Sequence, residues 1–141
     1  SIGYLGKGEV RNKLYKRLKK IGFSVPNIID KTAVISKDIS LEEGIFIGKK
    51  AVINSSVKIG KMSIINTGAI IEHDCEVGEY SHISVGSILC GNVSVGKHSF
   101  IGANATVIQG KKIGQHCIIG AGETIRKNVE DNSMIWGERK W

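Results

Sequence analysis

The sequence predicts an all-β fold, a parallel β-helix of five to six triangular coils preceded by a short strand-helix appendage. Three observations carry this prediction. An aliphatic residue recurs every six positions, a small residue recurs at a fixed place between them, and 18 glycines accompany a single proline. Glycine spread evenly without proline is typical of repeated tight turns and not of a flexible linker. A chain of 141 residues suffices for one ordinary domain.

The appendage, residues 1–28, is predicted to contain the end of a strand and one helix. Residues 1–5 are apolar enough for the strand. Residues 9–21 form the helix, because their apolar side chains recur at helical spacing. These side chains are Val10, Leu14, Leu18 and Ile21. Gly22 suits the C-terminal cap and Pro26 ends the segment, so we expect an amphipathic helix that packs with a solvated basic face.

The positive charge of the chain belongs to this appendage. The whole chain carries a net charge of +7. Residues 1–28 hold seven basic residues against Glu9, a net charge of +6, whereas residues 29–130 hold 11 basic and 10 acidic residues. The basic segment has no interleaved aromatic residues and no base-reading motif. We therefore expect no nucleic-acid partner.

Residues 29–130 follow an uninterrupted six-residue period. All 17 first positions are aliphatic: Ile29, Ile35, Leu41, Ile47, Ile53, Ile59, Ile65, Ile71, Val77, Ile83, Leu89, Val95, Ile101, Val107, Ile113, Ile119 and Ile125. Such a period is the signature of a parallel β-helix. Three hexads make one coil of 18 residues. The third and fourth positions of each hexad turn a corner. Successive coils are expected about 4.8 Å apart, the ordinary spacing of paired strands.

The sixth position of each hexad points outward and sorts the side chains onto three faces. The first face carries Val34, Val52, Ile70, Ile88, Thr106 and Thr124. The second carries Ser40, Lys58, Glu76, Ser94, Lys112 and Glu130. The third carries Phe46, Ile64, His82, Phe100 and Ile118. Because a monomer should not expose two apolar faces, we predict a C3 homotrimer in which the first face packs on a neighbour's third face.

A chemically distinctive group lies at the corner between the first and second faces. His73 and Asp74 occupy this corner, and Gly91 lies 18 residues later, directly above the histidine. Glu72 and Asp74 flank the imidazole, and either could orient it as a general base, Asp74 more directly. In the trimer, His82 of the neighbour's third face would line the same groove.

These residues carry a family resemblance that covers about residues 27–130. The segment NTGAIIEHDCEVGEYSHISVG, followed by GNVSVGKHSFIGANATVIQG and IGAGETIRK, resembles the sugar O-/N-acetyltransferase family. That family includes sialic acid O-acetyltransferases and N-acetyltransferases of nucleotide-linked 4-amino sugars. The resemblance implies a left-handed coil, acetyl-CoA as co-substrate and a sugar or nucleotide-sugar acceptor.

The resemblance also implies roles for individual residues. His73 would be the general base, with Asp74 as its orienting carboxylate. His82 would line the acceptor or thioester site, and the Gly91 amide would contact the thioester carbonyl. The backbone around Ala103 and Ala121 would hold the pantetheine arm. Basic residues of the last coils could contact the phosphates of CoA, a prediction made from their charge alone. These residues are Lys111, Lys112, Arg126 and Lys127.

Two features depart from the family pattern. Residues 1–28 match only the final strand and helix of an N-terminal nucleotide-sugar-binding domain, and a histidine that such a domain can contribute is absent. Residues 131–141 are expected to form a C-terminal tail, with Trp136 to Lys140 in place of a Gly-x-Pro-Ala segment. We therefore expect either a piece of a longer enzyme or an enzyme with a simpler acceptor.

The cysteines and the hydropathy favour a cytoplasmic protein. Cys75, Cys90 and Cys117 are odd in number and form no C-x-x-C pair, which is typical of reduced packing residues. No apolar run approaches the roughly 20 residues of a membrane span, and no signal peptide is recognisable.

Two alternatives remain open at this stage. A zinc carbonic anhydrase of the trimeric β-helix type would use histidines from two subunits, His82, His98 and His116, although Tyr80 interrupts the column below the last two. A non-catalytic assembly module would leave Glu72-His73-Asp74 without a role. An acetyltransferase needs no metal, and its acceptor could also be an amino acid.

Overall fold

A computed structural model describes residues 9–137. Within this range the chain forms one helix and eighteen two-residue strands. The helix is α1 (Glu9–Ile21). The strands are β1 (Ile28–Ile29), β2 (Val34–Ile35), β3 (Ser40–Leu41), β4 (Phe46–Ile47), β5 (Val52–Ile53), β6 (Lys58–Ile59), β7 (Ile64–Ile65), β8 (Ile70–Ile71), β9 (Glu76–Val77), β10 (His82–Ile83), β11 (Ile88–Leu89), β12 (Ser94–Val95), β13 (Phe100–Ile101), β14 (Thr106–Val107), β15 (Lys112–Ile113), β16 (Ile118–Ile119), β17 (Thr124–Ile125) and β18 (Met134–Ile135).

The strands pair in parallel into three sheets, one for each predicted face. The first face is β2-β5-β8-β11-β14-β17, the second β3-β6-β9-β12-β15, and the third β1-β4-β7-β10-β13-β16-β18. Each strand pairs with the strand one coil later, as His82 pairs with Ile64 below and Phe100 above. The fold is a left-handed parallel β-helix of about six turns, as predicted.

The core is a stack of the inward side chains of successive hexads. Ile47, Ile65 and Ile83 are fully buried one above another. Burial of such a side chain contributes about 1.5–3 kcal/mol to folding. The small fifth positions leave room for the large ones, and their polar members are satisfied, since the Ser81 hydroxyl donates to the Gly96 carbonyl at 2.8 Å. The hexad pattern therefore both fills the core and satisfies its polar groups.

From Gly44 to Gly122, every fourth hexad position is a left-handed residue that turns a corner. We name them the first corner (between the first and second faces), the second corner (second and third faces) and the third corner (third and first faces). Asp74 and Asn92 have φ of 59° and 58° at the first corner, and Tyr80 and His98 have 56° and 57° at the second. Asn and Asp tolerate this conformation better than most residues.

The last coil is two residues shorter than the others. Ile113 bridges to Val129, and Ile118 pairs with Met134, each 16 residues later instead of 18. Val129 therefore takes the inward position on the second face, and Glu130 does not occupy the outward position that a strict period predicts. The final strand, Met134–Ile135, lies within the predicted C-terminal tail and extends the third sheet.

Helix α1 has the predicted bounds and the predicted cap. Gly22 has φ 102°, its N–H donates to the Lys19 carbonyl at 3.0 Å, and the Phe23 N–H donates to the Leu18 carbonyl at 3.0 Å. This pattern is a Schellman cap. The predicted strand in residues 1–5 lies outside the described residues. No helix in residues 9–137 is long and apolar enough to cross a bilayer.

The apolar stripe of α1 is not the surface that contacts the β-helix. All four side chains of this stripe are exposed: Val10, Leu14, Leu18 and Ile21. The contact runs through Tyr15, whose hydroxyl donates to Glu43 and whose ring meets the Tyr80 ring edge-on at 6.2 Å. Lys19 adds an ion pair to Glu43 at 3.2 Å. A polar anchor at the second corner therefore holds the helix.

Candidate active site

His73 and Asp74 form a bonded pair at the first corner, directly after β8. The His73 Nδ1 lies 2.8 Å from Asp74 Oδ2, and both side chains are 59% exposed. The Asp74 backbone N–H donates to the Ser55 carbonyl at 3.0 Å, which fixes the left-handed corner. A carboxylate on Nδ1 holds the proton there and leaves Nε2 as the base.

The structure distinguishes the two acidic neighbours of His73. Asp74 bonds to the ring, whereas no hydrogen bond within residues 9–137 joins the Glu72 side chain to it. The Glu72 backbone continues β8 and donates to the Leu89 carbonyl at 2.9 Å. Asp74 is therefore the acidic neighbour that orients the His73 imidazole. The predicted acceptor contact of Glu72 stays a prediction.

The imidazole lies directly under Gly91. A Cβ on residue 91 would lie 2.6 Å from His73 Nε2 and 2.7 Å from Cε1, so only glycine fits with the ring in this place. One coil links to the next here through the Asn92 N–H, which donates to the His73 carbonyl at 2.8 Å. The expected stacking of the histidine beneath the glycine is confirmed.

The backbone of Gly91 makes only one of its two possible hydrogen bonds within residues 9–137. Its carbonyl accepts from the Gly110 N–H at 3.0 Å, but its own N–H has no acceptor among residues 9–137. An N–H beside a base and free of an internal partner is the arrangement that stabilises an oxyanion. The first corner thus places an imidazole nitrogen close to the backbone of Gly91, whose N–H has no acceptor within residues 9–137.

His82 lies on the third face and is 8% exposed. Its Nε2 is 3.1 Å from Asn66 Nδ2, and its ring meets Phe100 edge-on at 5.2 Å. The Asn66 Oδ1 already accepts the Thr67 N–H at 2.8 Å, so Nδ2 faces the histidine and donates. Nε2 therefore accepts, and neutral His82 carries its proton on Nδ1.

Sequence reasoning missed Asn66, although the register held the signal. Ile64 is the partner of His82, and Asn66 follows two residues later at the third corner. His73 and His82 themselves lie in different parts of one chain, at the first corner and on the third face. A groove that contains both requires a second subunit, so their shared site stays a prediction.

The second corner carries a stack of three aromatic rings. Tyr80 and His98 stack at 5.0 Å between ring centroids, and His98 and His116 at 4.9 Å, with planes within 4° of parallel. Burial, and then the neighbouring His116 and Lys97, lower the pKa of His98, against an opposing effect of Glu79. Parallel imidazoles direct their nitrogen lone pairs along parallel lines, which does not favour a shared zinc ion. No three His, Cys, Asp or Glu side chains of residues 9–137 are grouped to hold a metal.

The cysteines pack and do not pair. Cys75, Cys90 and Cys117 are free thiols. Burial raises the pKa of Cys75 to about 11, so its thiol stays protonated. Its Sγ lies 3.1 Å from the Cys90 carbonyl oxygen. The packing role predicted for Cys75 and Cys117 is therefore confirmed, since both are fully buried.

The residues predicted to hold CoA lie in the upper coils. Ala103 and Ala121 stack at the third corner, where the Gly122 N–H donates to the Ala103 carbonyl at 2.8 Å. Ala121 is exposed, and Lys111 is half-buried. Arg126 is exposed, and its guanidinium reaches the Thr124 carbonyl at 3.5 Å. The CoA contacts of these residues stay a prediction.

A family model described as the hexapeptide repeat of succinyl-transferase matches residues 38–73 and 92–127, half of the chain. The chain belongs to this hexapeptide-repeat family. No curated protein sequence gives a significant match to this hexapeptide-repeat protein.

Solved structures show the same fold over 94% of the chain. A histidine-to-alanine variant of GDP-perosamine N-acetyltransferase from Caulobacter crescentus, with CoA and GDP-perosamine bound, is 38% identical with a TM-score of 0.91. The acetyltransferase domain of PglB from Neisseria gonorrhoeae, with acetyl coenzyme A bound, is 29% identical with a TM-score of 0.90. WeeI from Acinetobacter baumannii, at 22% identity and a TM-score of 0.73, shares the fold. Our hexapeptide-repeat chain spans 63%, 65% and 65% of the three proteins' respective lengths.

Proposed function

We propose that this hexapeptide-repeat protein transfers the acetyl group of acetyl-CoA to an amine or hydroxyl of a nucleotide-linked sugar. One observation carries the proposal: the Asp74-bonded His73 ring presents Nε2 beside the Gly91 backbone, whose N–H has no acceptor within residues 9–137. The ligands of the solved relatives support it, since one binds CoA with GDP-perosamine and another binds acetyl coenzyme A.

In the first step, His73 Nε2 takes a proton from the acceptor amine or hydroxyl as that group attacks the thioester carbonyl. A new C–N or C–O bond forms, and the carbonyl electron pair moves onto oxygen. The Gly91 N–H donates to this oxyanion, an interaction typically worth about 3–4 kcal/mol in the transition state. Asp74 stabilises the imidazolium that results and keeps its orientation.

In the second step, the oxyanion collapses and the C–S bond breaks. Protonated His73 returns its proton to the leaving thiolate, which gives free CoA and the acetylated sugar. The enzyme forms no covalent intermediate. Cys75 is buried with a raised pKa, so it supplies no nucleophile to this reaction.

The donor would bind along the upper coils. The backbone at Ala103 and Ala121 would hold the pantetheine arm, and the exposed Arg126 together with Lys111 would meet the CoA phosphates. The exposure of Ala121 at the third corner supports this placement. The contacts themselves rest on family resemblance and charge.

The acceptor side would be completed by a neighbouring subunit in a homotrimer. The apolar third and first faces remain partly uncovered in one chain, where Phe46 is 40% exposed and Val34 is 64% exposed. Packing of these faces would place the neighbour's third face, with its His82, against the first corner. His82 and Glu72 would then contact the sugar. The free thiols support a reducing, cytoplasmic compartment.

The experiment that tests this function is a thiol-release assay with acetyl-CoA and a panel of nucleotide-linked amino sugars, sialic acid and serine. We expect release with a nucleotide-linked sugar and little with serine, and mass spectrometry of the product then distinguishes N- from O-acetylation. No release with any sugar acceptor, from a protein that binds acetyl-CoA and is folded, would contradict the proposal.

A further inference from the structure

The upper end of the third corner carries an exposed tryptophan. Trp136 directly follows β18 and is 59% exposed. It stands in the segment that departs from the Gly-x-Pro-Ala pattern of the family. Neither the proposed reaction nor the predicted CoA contacts use this side chain. The large aromatic surface of Trp136 is therefore a feature that acetyl transfer has so far left unexplained.

The coil register fixes where Trp136 lies. The Gly120 N–H donates to the Ile135 carbonyl at 2.7 Å, and a Cβ on Gly120 would lie 3.4 Å from the Trp136 Cα. Trp136 is thus one coil above Gly120, whose neighbour Ala121 is exposed. Within residues 9–137, β18 is the last strand of the third sheet, so no further strand covers the indole. Trp136 therefore lies at the upper end of the predicted path of the pantetheine arm.

The height of Trp136 matches the length of that arm. Three successive strand pairings separate His82 from Met134, which precedes Trp136 by two residues. At about 4.8 Å per coil, the rise is about 14 Å. The pantetheine arm has about as many backbone bonds as four residues of extended chain, so it also spans about 14 Å. A thioester at the height of His82, with its arm running up the third corner, brings the adenosine end of CoA to the height of Trp136.

The charge at this end of the corner distinguishes the parts of CoA that could lie there. The Glu123 Oε1 lies 2.9 Å from the point that a Cβ on Gly137 would occupy. The Glu123 carboxylate has no hydrogen bond or ion pair to another residue of the range 9–137. It repels the phosphates of CoA, whereas it can accept from the amino group of adenine. The uncharged base is therefore the part that fits beside Trp136.

We propose that the Trp136 indole is the platform on which the adenine of CoA stacks. This inference rests on the proposed function, since it takes CoA as the donor and the third corner as the path of the pantetheine arm. Aromatic side chains bind bases through their ring faces, and removal of one such ring typically weakens binding about 5- to 150-fold. Trp136 is thus a binding residue for the donor and takes no part in proton transfer.

The test is calorimetric titration of the full chain with CoA, adenosine 3′,5′-diphosphate and 4′-phosphopantetheine. Trp136→Ala should weaken binding of the first two ligands at least about 5-fold, and that of 4′-phosphopantetheine, which has no adenine, less than about 2-fold. Trp136→Phe keeps an aromatic plane and should recover part of the lost affinity. Phe23→Ala, which removes another exposed aromatic side chain near helix α1, is the matched control and should change CoA binding less than about 2-fold.

The three ligands separate base stacking from a structural role. The proposal would be overturned if Trp136→Ala weakened 4′-phosphopantetheine as much as CoA. It would also be overturned by unchanged CoA binding in a variant that keeps the melting temperature and mass of the wild type. A wild type that binds none of the ligands would overturn both the donor site and the role of Trp136. Trp136-dependent CoA binding without thiol release would support this inference and contradict only the proposed reaction.

Discussion

The Nε2 atom of His73 lies 2.6 Å from the point that a Cβ on Gly91 would occupy. The glycine thus lets the imidazole lie against the next coil, with Nε2 close to the backbone of Gly91, whose N–H has no acceptor within residues 9–137. Two residues 18 positions apart are brought together by the coil repeat alone. This relationship is the basis of the proposed mechanism and of the first prediction.

Gly91→Ala is expected to lower kcat by about 10²-fold, because the new methyl group displaces the His73 ring and a misplaced catalytic group can cost that much. The fold should persist, since Gly91 is not among the residues with positive φ and alanine can adopt its backbone. Steady-state kinetics and thermal melting together check this.

The control for Gly91→Ala is the same change in a His73→Ala background. With no ring to displace, the methyl group should change the residual rate by less than about 3-fold. A further large loss in the double variant would show that Gly91→Ala acts through the backbone and not through His73.

Asp74→Asn is expected to lower kcat about 10- to 100-fold with little change in stability. Asparagine tolerates the left-handed φ of 59° at this position. Its amide can donate to Nδ1, which favours the tautomer protonated on Nε2, and that tautomer cannot accept the acceptor's proton. The measurement is kcat alongside the ¹⁵N chemical shifts of the His73 ring. A variant with full activity and the wild-type tautomer would contradict the assigned role.

Much of this molecule could be predicted from the sequence because the coil has a fixed register. Once Ile65 and Ile83 are assigned as inward residues, His73, Asp74 and Gly91 fall at one corner by counting. The same register places His82 on the third face. Periodicity specifies which residues stack, and in a β-helix that is most of the tertiary structure.

The features that the sequence did not predict depend on contacts that interrupt the six-residue period. The last coil is two residues shorter, since Val129 and not a residue two positions later pairs with Ile113. Helix α1 contacts the β-helix through the bond from Tyr15 to Glu43 and not through its apolar stripe, and helical periodicity does not mark that bond. Asn66 was missed because its role comes from a side-chain bond to His82 that no motif marks.

The stability of the protein is expected to fall below about pH 6.5 through His98. Burial, His116 and Lys97 lower the pKa of His98 below its ordinary value of 6.5. The folded state therefore binds this proton less readily than the unfolded state. The contribution of neutral His98 to the free energy of unfolding is complete above pH 6.5 and is lost as the pH falls below that value.

His98→Asn should reduce this acid sensitivity, since asparagine tolerates the φ of 57° and carries no titrating group. The measurement is the melting temperature of both proteins between about pH 7.5 and about pH 5. The melting temperature of the wild type should fall more than that of the variant over this interval. Equal falls in melting temperature would show that His98 is not the cause of the acid sensitivity.

A homotrimer is expected in solution, with a mass three times the chain mass of 15.3 kDa. Ile88→Lys places a charge at the centre of the apolar first face and should dissociate the trimer, because an unpaired charge in an interface is costly. Ser94→Lys, on the polar second face, is the matched control and should leave the mass unchanged. Light scattering during size-exclusion chromatography measures both. A monomeric wild type, or a trimer that Ile88→Lys does not disturb, would contradict this assembly.

The central claim is that His73 is the general base of acetyl transfer. The most direct test is the rate of thiol release from acetyl-CoA by the wild type and by His73→Ala, with the acceptor that the panel identifies and at equal oligomeric mass. Removal of a general base typically costs about 10²- to 10⁴-fold, so we expect a loss of at least about 10²-fold in kcat. A His73→Ala variant that turns over within about 3-fold of the wild type would contradict the account.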